Sequence, residues 1–380
     1  MKRLGLYLHI PFCVRKCAYC DFYSGAQSSE TRARYVDALC RHLTAVAPRA
    51  SAYTVDTVYL GGGTPTLLER EEITRILDTV RACFRVEADA EITVECNPVT
   101  NADGMMEGLR GAGINRLSIG LQSAHEAELK LLGRPHGYGA FLETYRAARA
   151  AGFDNISVDL MFGIPSQTAE SFAGTVETVI GLAPEHISAY GLRIEEGTPF
   201  DRMRDRLVLP TEEDEAEMAE SVAARLQAAG YEHYEISNYA RDGKRSRHNM
   251  RYWLGEDYLG FGPGAHSYFE GVRFETAPDL EGYLEKVDAE AFDALRQDLQ
   301  PIEGKERMDE HVMLRMRLFE GLDLADFSYR YGTSFEDVYG DVGYLVRGGF
   351  LVKTDKRLAF TERGMRVSNT ILSDWLDFGN

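Results

Sequence analysis

Apolar and polar positions along the first half of the chain follow two alternating rhythms. The runs GLYLHIPF, VDTVYLGG, AEITVECNP, RLSIGLQS, NISVDLMFGI and HISAYGLRI are short, apolar and rich in β-branched residues, and they read as strands. Between them stand SETRARYVDALCRHLTAV, EREEITRILDTVRACF, NADGMMEGLRGAG, YGAFLETYRAARAAG and TAESFAGTVETVIGLA. Each has apolar residues at helical spacing, and several open on Ser, Thr, Asn or Asp and close on Gly, the residues that satisfy the free backbone groups at helix ends. TEEDEAEMAESVAARLQAAG carries the pattern to about residue 230. Six strands alternating with helices make parallel βα units, so the chain is expected to be α/β: either an open doubly wound sheet or a whole or partial TIM-like barrel.

The polar residues decide between the two. Glu95, Gln122, Asp159 and Arg193 each fall at or near the C-terminal end of a predicted strand. One such residue is an ordinary polar group where a strand leaves the core, but their recurrence on successive strands is the mark of a site built at one face of a barrel. The expected architecture is a partial TIM-like (β/α)6 barrel over residues 1–235. From 236 to 304 the composition turns aromatic and glycine-rich, YEHYEISNYA giving way to SRHNMRYWLGEDYLGFGPGAHSYF, which predicts a connecting region that closes the barrel mouth. Residues 305–380 predict several helices, a hairpin around KTDKR and a closing helix: a small winged-helix-like α+β domain.

Charge narrows the role of that last domain. It carries 11 Lys and Arg against 13 Asp and Glu, and the whole chain of 380 residues has a net charge of −18. A DNA-reading wing needs a basic face, so no nucleic-acid partner is expected and the domain reads as a cover or docking element. No apolar run approaches a membrane span, and the apolar stretch in MKRLGLYLHIPF has no small-residue cleavage site after it, so it reads as a first strand. The expected setting is the reducing cytoplasm, with attachment to a membrane only through a partner.

In that setting CVRKCAYC carries the most chemistry. Cys13, Cys17 and Cys20 form C-x3-C-x2-C in the loop after the first strand, and three is too many thiols for one disulfide and too few for a structural zinc. Three sulfurs on one loop can hold three corners of a 4Fe-4S cube and leave the fourth iron open to a small chelating ligand. The alternative is zinc with His9 or Asp21 as fourth ligand. Cys40 and Cys83 on helical faces and Cys96 at a strand end read as core cysteines.

YLHIPFCVRKCAYC resembles the radical S-adenosylmethionine (radical SAM) proteins, and GGGTPT, VECNP, GLQS, LGRPH and DLMFGIP follow in that family's order along nearly the whole chain. The resemblance implies a radical SAM barrel with a 4Fe-4S cluster on the three cysteines and the amine and carboxylate of S-adenosylmethionine on the open iron. It places Tyr7 and Tyr19 near the cluster, and Gly62, Gly63 and Thr64 at the methionyl part, where a chain without Cβ allows close backbone approach. Glu95, Gln122, Arg134 and Asp159 match further cofactor contacts, carboxylates accepting from ammonium and ribose hydroxyls and Arg134 pairing with the methionyl carboxylate. Arg193 aligns only loosely. In the family's enzymes an electron from the cluster cleaves the sulfonium, and the resulting 5′-deoxyadenosyl radical removes hydrogen from substrate.

More narrowly, the chain resembles the branch that holds the oxygen-independent coproporphyrinogen III oxidases and the HemW-like heme chaperones. Those oxidases carry an extension before the cluster strand and a fourth cysteine just past the triad; here the strand begins near residue 5, and Asp21 and Phe22 follow Cys20. HNMRYW, His248 to Trp253, fits the H-N-x-x-Y-W signature of the chaperones. An imidazole is a good axial ligand for heme iron, and Tyr252 and Trp253 offer flat contact to a porphyrin, although a loop histidine is more often a surface or hydrogen-bonded group. His266 in GPGAHSYF is the second candidate, or lines the cofactor pocket. The expected function is heme binding and transfer to recipient hemoproteins, membrane-bound respiratory ones among them, with an electron donor as a further partner. The alternatives are oxidative decarboxylation of coproporphyrinogen III and radical chemistry on another substrate.

Overall fold

A computed structural model describes residues 2–98 and 104–376. All six expected strands form: β1 (Lys2–Ile10), β2 (Tyr53–Gly62), β3 (Val86–Cys96), β4 (Arg116–Gln122), β5 (Ile156–Phe162) and β6 (His186–Gly191). They pair in parallel in chain order, each neighbour joined through a helix. The expected helices stand between them at Ser29–Val46, Arg70–Cys83, Met105–Gly111, Tyr138–Ala150 and Ala169–Leu182, with Glu212–Ala228 after β6. Ser28, Thr168 and Thr211 accept from the amide three residues on, which gives the expected polar openings their reason. Gly113, Gly152 and Gly230, at φ of 90°, 87° and 86°, follow helix ends in the left-handed region that favours glycine.

The barrel is open, because β6 does not pair with β1. Instead, β7 (Glu232–Glu235) and β8 (Asn238–Ala240) turn back antiparallel beside β6, and β9 (Tyr258–Phe261) adds in parallel to the far edge of β1. β10 (His266–Phe269), β11 (Val272–Glu275) and β12 (Gln297–Pro301) continue antiparallel from β9, giving a twelve-stranded sheet. The 236–304 stretch therefore supplies five strands of the sheet with the helices Arg247–Leu254 and Leu280–Asp288 between them, and the first of these helices does not cover the mouth. That helix is anchored on Asp56, Thr57 and Glu91 in the N-terminal halves of β2 and β3, at the opposite end. For this helix the expected mouth cover does not hold, because aromatic and glycine-rich composition does not reveal which end of a barrel a helix will close.

Outward strand positions, Leu4, Leu6, Leu8 and Ile10 on β1 and Ile156, Val158 and Leu160 on β5, are fully buried under the helices. Beyond residue 304, β13 (Leu322–Asp323), β14 (Leu351–Lys353) and β15 (Arg357–Phe360) form a separate three-stranded antiparallel sheet wrapped by short helices around its own apolar core. It meets the barrel at the β7–β8 hairpin: the Phe319 amide donates to the Tyr234 carbonyl at 3.1 Å, and the His233 ring lies 4.1 Å from both the Tyr239 and Phe319 ring centres. No helix among the described residues is long and apolar enough to cross a membrane.

Candidate functional site

The register explains how the site is built. Thr57 pairs with Glu91, Tyr7 with Tyr59, Thr93 with Arg116, Glu95 with Ser118, Ser157 with His186 and Asp159 with Ser188. These polar residues occupy the alternate positions to the outward apolar ones, so the barrel interior is polar where TIM barrels are filled with branched aliphatic side chains. Polar groups can only be buried at low cost if they meet partners or a ligand. Several do: the Tyr59 hydroxyl donates to Glu95 Oε1 at 2.9 Å, Ser118 Oγ donates to both Asp159 oxygens at 3.2 Å, and Ser157 Oγ lies 2.7 Å from His186 Nδ1.

Above this interior, the loop after β1 is fastened on several sides. The Thr64 amide donates to the Phe12 carbonyl at 2.7 Å, the Cys13 amide to Gly25 at 3.0 Å, the Ala18 amide to Leu132 at 2.9 Å, and the Phe200 amide to Ala18 at 2.9 Å. Arg15 reaches the carbonyls of Gly133 and Arg134 at 2.9 and 3.3 Å. The loop thereby brings Cys13, Cys17 and Cys20 to one pocket, which Tyr19, Gly62, Gly63, Thr64, Glu95, Gln122, Arg134 and Asp159 also line. Cys96, read from sequence as a core cysteine, lines it as well, with burial pushing its thiol up to about 12.

The donors fit an iron–sulfur cluster with a zwitterionic ligand. All three thiols are free, and Arg134 Nη1 lies 3.8 Å from Cys17 Sγ. Arg134 Nη2 donates to the Gly120 carbonyl at 2.7 Å, while Nε is buried without a partner and remains available to a carboxylate. Burial pushes Glu95 up to about 7, partly opposed by hydrogen bonds from Tyr59 and the Gly62 amide, and raises Asp159. Gln122 holds a left-handed φ of 73° and accepts from the Tyr190 hydroxyl at 2.8 Å. Strain of that kind collects where a side chain must be aimed. Zinc fits less well. Both His9 nitrogens are engaged, Nδ1 with the Tyr7 hydroxyl at 3.1 Å and Nε2 with the Tyr23 carbonyl at 2.8 Å, and Asp21 is exposed.

Gly62 and Gly63 line the pocket as expected and are also required by packing: a Cβ on Gly62 would lie 2.4 Å from the His9 ring, and one on Gly63 would lie 2.6 Å from the Phe12 carbonyl oxygen. Two other expectations need correction. Tyr7 is one layer below the pocket, stacked on Tyr59. Arg193 is exposed outside the pocket, with its charge near Glu215.

The largest correction concerns His248, which lies on a helix and is 1% exposed. Its Nδ1 is 2.9 Å from Thr57 Oγ1 and its Nε2 is 2.9 Å from the Tyr252 hydroxyl, so neither nitrogen is open to iron. Trp253 hydrogen-bonds Glu235, and Arg251 forms a buried ion pair with Asp56. The HNMRYW segment is thus a stopper for the lower end of the barrel, and its aromatic rings face inward partners. His266, by contrast, stands on β10 with its side chain 62% exposed.

Sequence reasoning missed Arg116, Glu91 and Tyr190. Arg116 is 2% exposed inside the barrel, its Nε unpartnered, and its charge acts on Glu95 and Asp159. The signal was present as polar residues at every second strand position.

Comparison with known proteins agrees with this geometry. Residues 7–179 match the Radical SAM superfamily model and residues 302–367 match the HemN C-terminal domain. The chain is 33% identical to the heme chaperone HemW of Bacillus subtilis (strain 168), over 97% of this chain and 98% of that one. It is 35% identical to the heme chaperone HemW of Escherichia coli (strain K12), over 98% of each. The fold matches the structure of coproporphyrinogen III oxidase (HemN) from Escherichia coli with a TM-score of 0.87 at 24% identity, covering 100% of this chain and 91% of that one.

Proposed function

The chain belongs to the radical SAM family, within the group of the HemW heme chaperones, and on that premise we propose that it binds heme and delivers it to recipient hemoproteins. It does so as a carrier of a 4Fe-4S cluster on Cys13, Cys17 and Cys20, with S-adenosylmethionine beside it. The observation that carries the heme reading is the similarity to proteins named heme chaperones along the entire chain, barrel and C-terminal domain together.

When bound, the cluster supplies one-electron chemistry at the sulfonium. The protein's own residues bind and orient. Arg134 offers its free Nε to the methionyl carboxylate, with Gly120 fixing the other side of the guanidinium. Glu95 and Asp159 accept from ammonium and hydroxyl groups, and Tyr19 and Tyr190 wall the pocket against water. On this reading recipients include membrane-bound respiratory hemoproteins met from the cytoplasm, and a one-electron donor is a further partner.

Anaerobically reconstituted protein should show an iron–sulfur EPR signal that changes on addition of S-adenosylmethionine, and a Soret shift with hemin. Coproporphyrinogen III supplied with reductant should remain unconverted. Protoporphyrinogen formation would replace the carrier reading with the oxidase; no interaction with hemin would remove it.

A further inference from the structure

The outer rim of the pocket carries side chains that the fold does not use. Among the described residues eleven large apolar side chains are exposed, and six of them, Val14, Phe22, Leu131, Met203, Val208 and Leu209, stand on segments at the pocket end of the barrel. Those segments are sewn side by side: the Ala18 amide donates to the Leu132 carbonyl, the Phe200 amide to that of Ala18, and Arg15 to those of Gly133 and Arg134. Leu132 and Phe200 share a small buried apolar cluster with Ala18 packed against it, so the exposed residues belong to one packed surface. Apolar side chains gathered in this way at one end of a molecule mark a place where another molecule docks.

Charge says what kind of molecule. Residues 13–22, 130–134 and 200–209 carry seven Arg and Lys against three Asp, with Glu195 and Glu196 shortly before the last stretch, in a chain whose net charge is −18. Arg15 and Lys16 are exposed between Cys13 and Cys17. A partner seated here meets positive charge and has to be negative. The same loop is the shortest way to the cluster, because Cys13 and Cys20 are only half-buried there, while helices cover the strands and the stopper closes the lower end.

From this placement we propose that the rim around Val14, Arg15, Lys16 and Phe22 is the docking face for an acidic one-electron carrier protein, a reduced flavodoxin or ferredoxin. The carrier is oxidised by one electron and the cluster is reduced by that electron, with no bond made or broken in the step. The inference rests on the cluster reading above and names where, and by what charge, the electron donor meets it. Redox encounters of this kind bury little surface and depend on charge for their rate.

Stopped-flow bleaching of the reconstituted full-length protein by chemically reduced flavodoxin tests it. The wild-type rate should fall steeply with added salt. Lys16→Glu together with Lys130→Glu should slow it at least about tenfold at low salt and flatten its salt dependence. Lys2→Glu, at the other end of β1, should behave as the wild type. Iron and sulfide content and photoreduction by deazaflavin should be unchanged in these variants, which separates docking from cluster loss. Wild-type rates and salt dependence in the doubly reversed variant would overturn the docking face while leaving the cluster reading intact, and loss of co-sedimentation with phosphatidylglycerol vesicles in that variant would then give the rim to a membrane surface. Wild-type protein that holds no cluster would overturn both.

Discussion

The Glu91 carboxylate accepts a hydrogen bond at 3.0 Å from the backbone amide of His248, a residue 157 positions later in the chain. Its second oxygen takes the Arg247 amide at 3.0 Å, so a strand side chain satisfies two free donors of the stopper helix and places negative charge at its N-terminus. Glu91→Ala should therefore cost about 1–2 kcal/mol, read as a lowered thermal midpoint, with Glu91→Gln losing less. Wild-type stability in Glu91→Ala would show that the helix is held by its other contacts.

His248→Ala should destabilise the fold by about 2 kcal/mol, because it leaves Thr57 and Tyr252 facing a void. It should also change the acid limb. Burial holds the His248 imidazole down to about 3, so the folded state refuses a proton that the unfolded state takes up near 6.5. The neutral ring's stability is complete above that value and is lost as the pH falls toward the folded value, at about 1.4 kcal/mol per pH unit. Denaturant titrations between pH 7 and pH 4 should show a shallower fall in the alanine variant.

Glu235 should behave oppositely. Burial pushes its carboxyl from 4.5 up to about 7, against the hydrogen bonds it accepts from Asn238, Ser237 and Trp253. The folded state therefore favours the protonated form, and that contribution is complete below 4.5 and lost as the pH rises through about 7. Glu235→Gln should narrow the stability gap between acid and mildly alkaline solution by about 1 kcal/mol. An unchanged gap would mean that the carboxylate is accommodated charged.

Arg134→Met should lose S-adenosylmethionine affinity by at least about tenfold while keeping the cluster, as judged by iron and sulfide content and by EPR with and without the nucleotide. Alanine at Cys13, Cys17 or Cys20 should abolish the cluster, whereas alanine at Cys40 or Cys83 should not. Retention of a full cluster in Cys17→Ala would place the ligands elsewhere.

Strands and helices of the barrel were legible because each rhythm has one physical cause, and the helix Ser29–Val46 coincides with its sequence pattern. The pocket was legible because its residues lie at strand ends and in the loop after β1, where position along the chain maps directly onto one face. His248 was not legible as a stopper, because its environment is made by Thr57 and Glu91, nearly two hundred residues away in one case. A motif records which residues recur together and says nothing about whether they face a guest or each other. Arg116 was hidden for a related reason: an arginine at the start of an apolar strand looks solvent-bound until the register with Thr93 turns it inward.

The stopper has a further consequence for traffic. With its floor sealed by the Asp56–Arg251 pair and the Glu91 clasp, the lumen is a blind alley. On the carrier reading proposed above, nucleotide and cargo share a single doorway, so loading and unloading follow in sequence at the same threshold, and a recipient meets the carrier there.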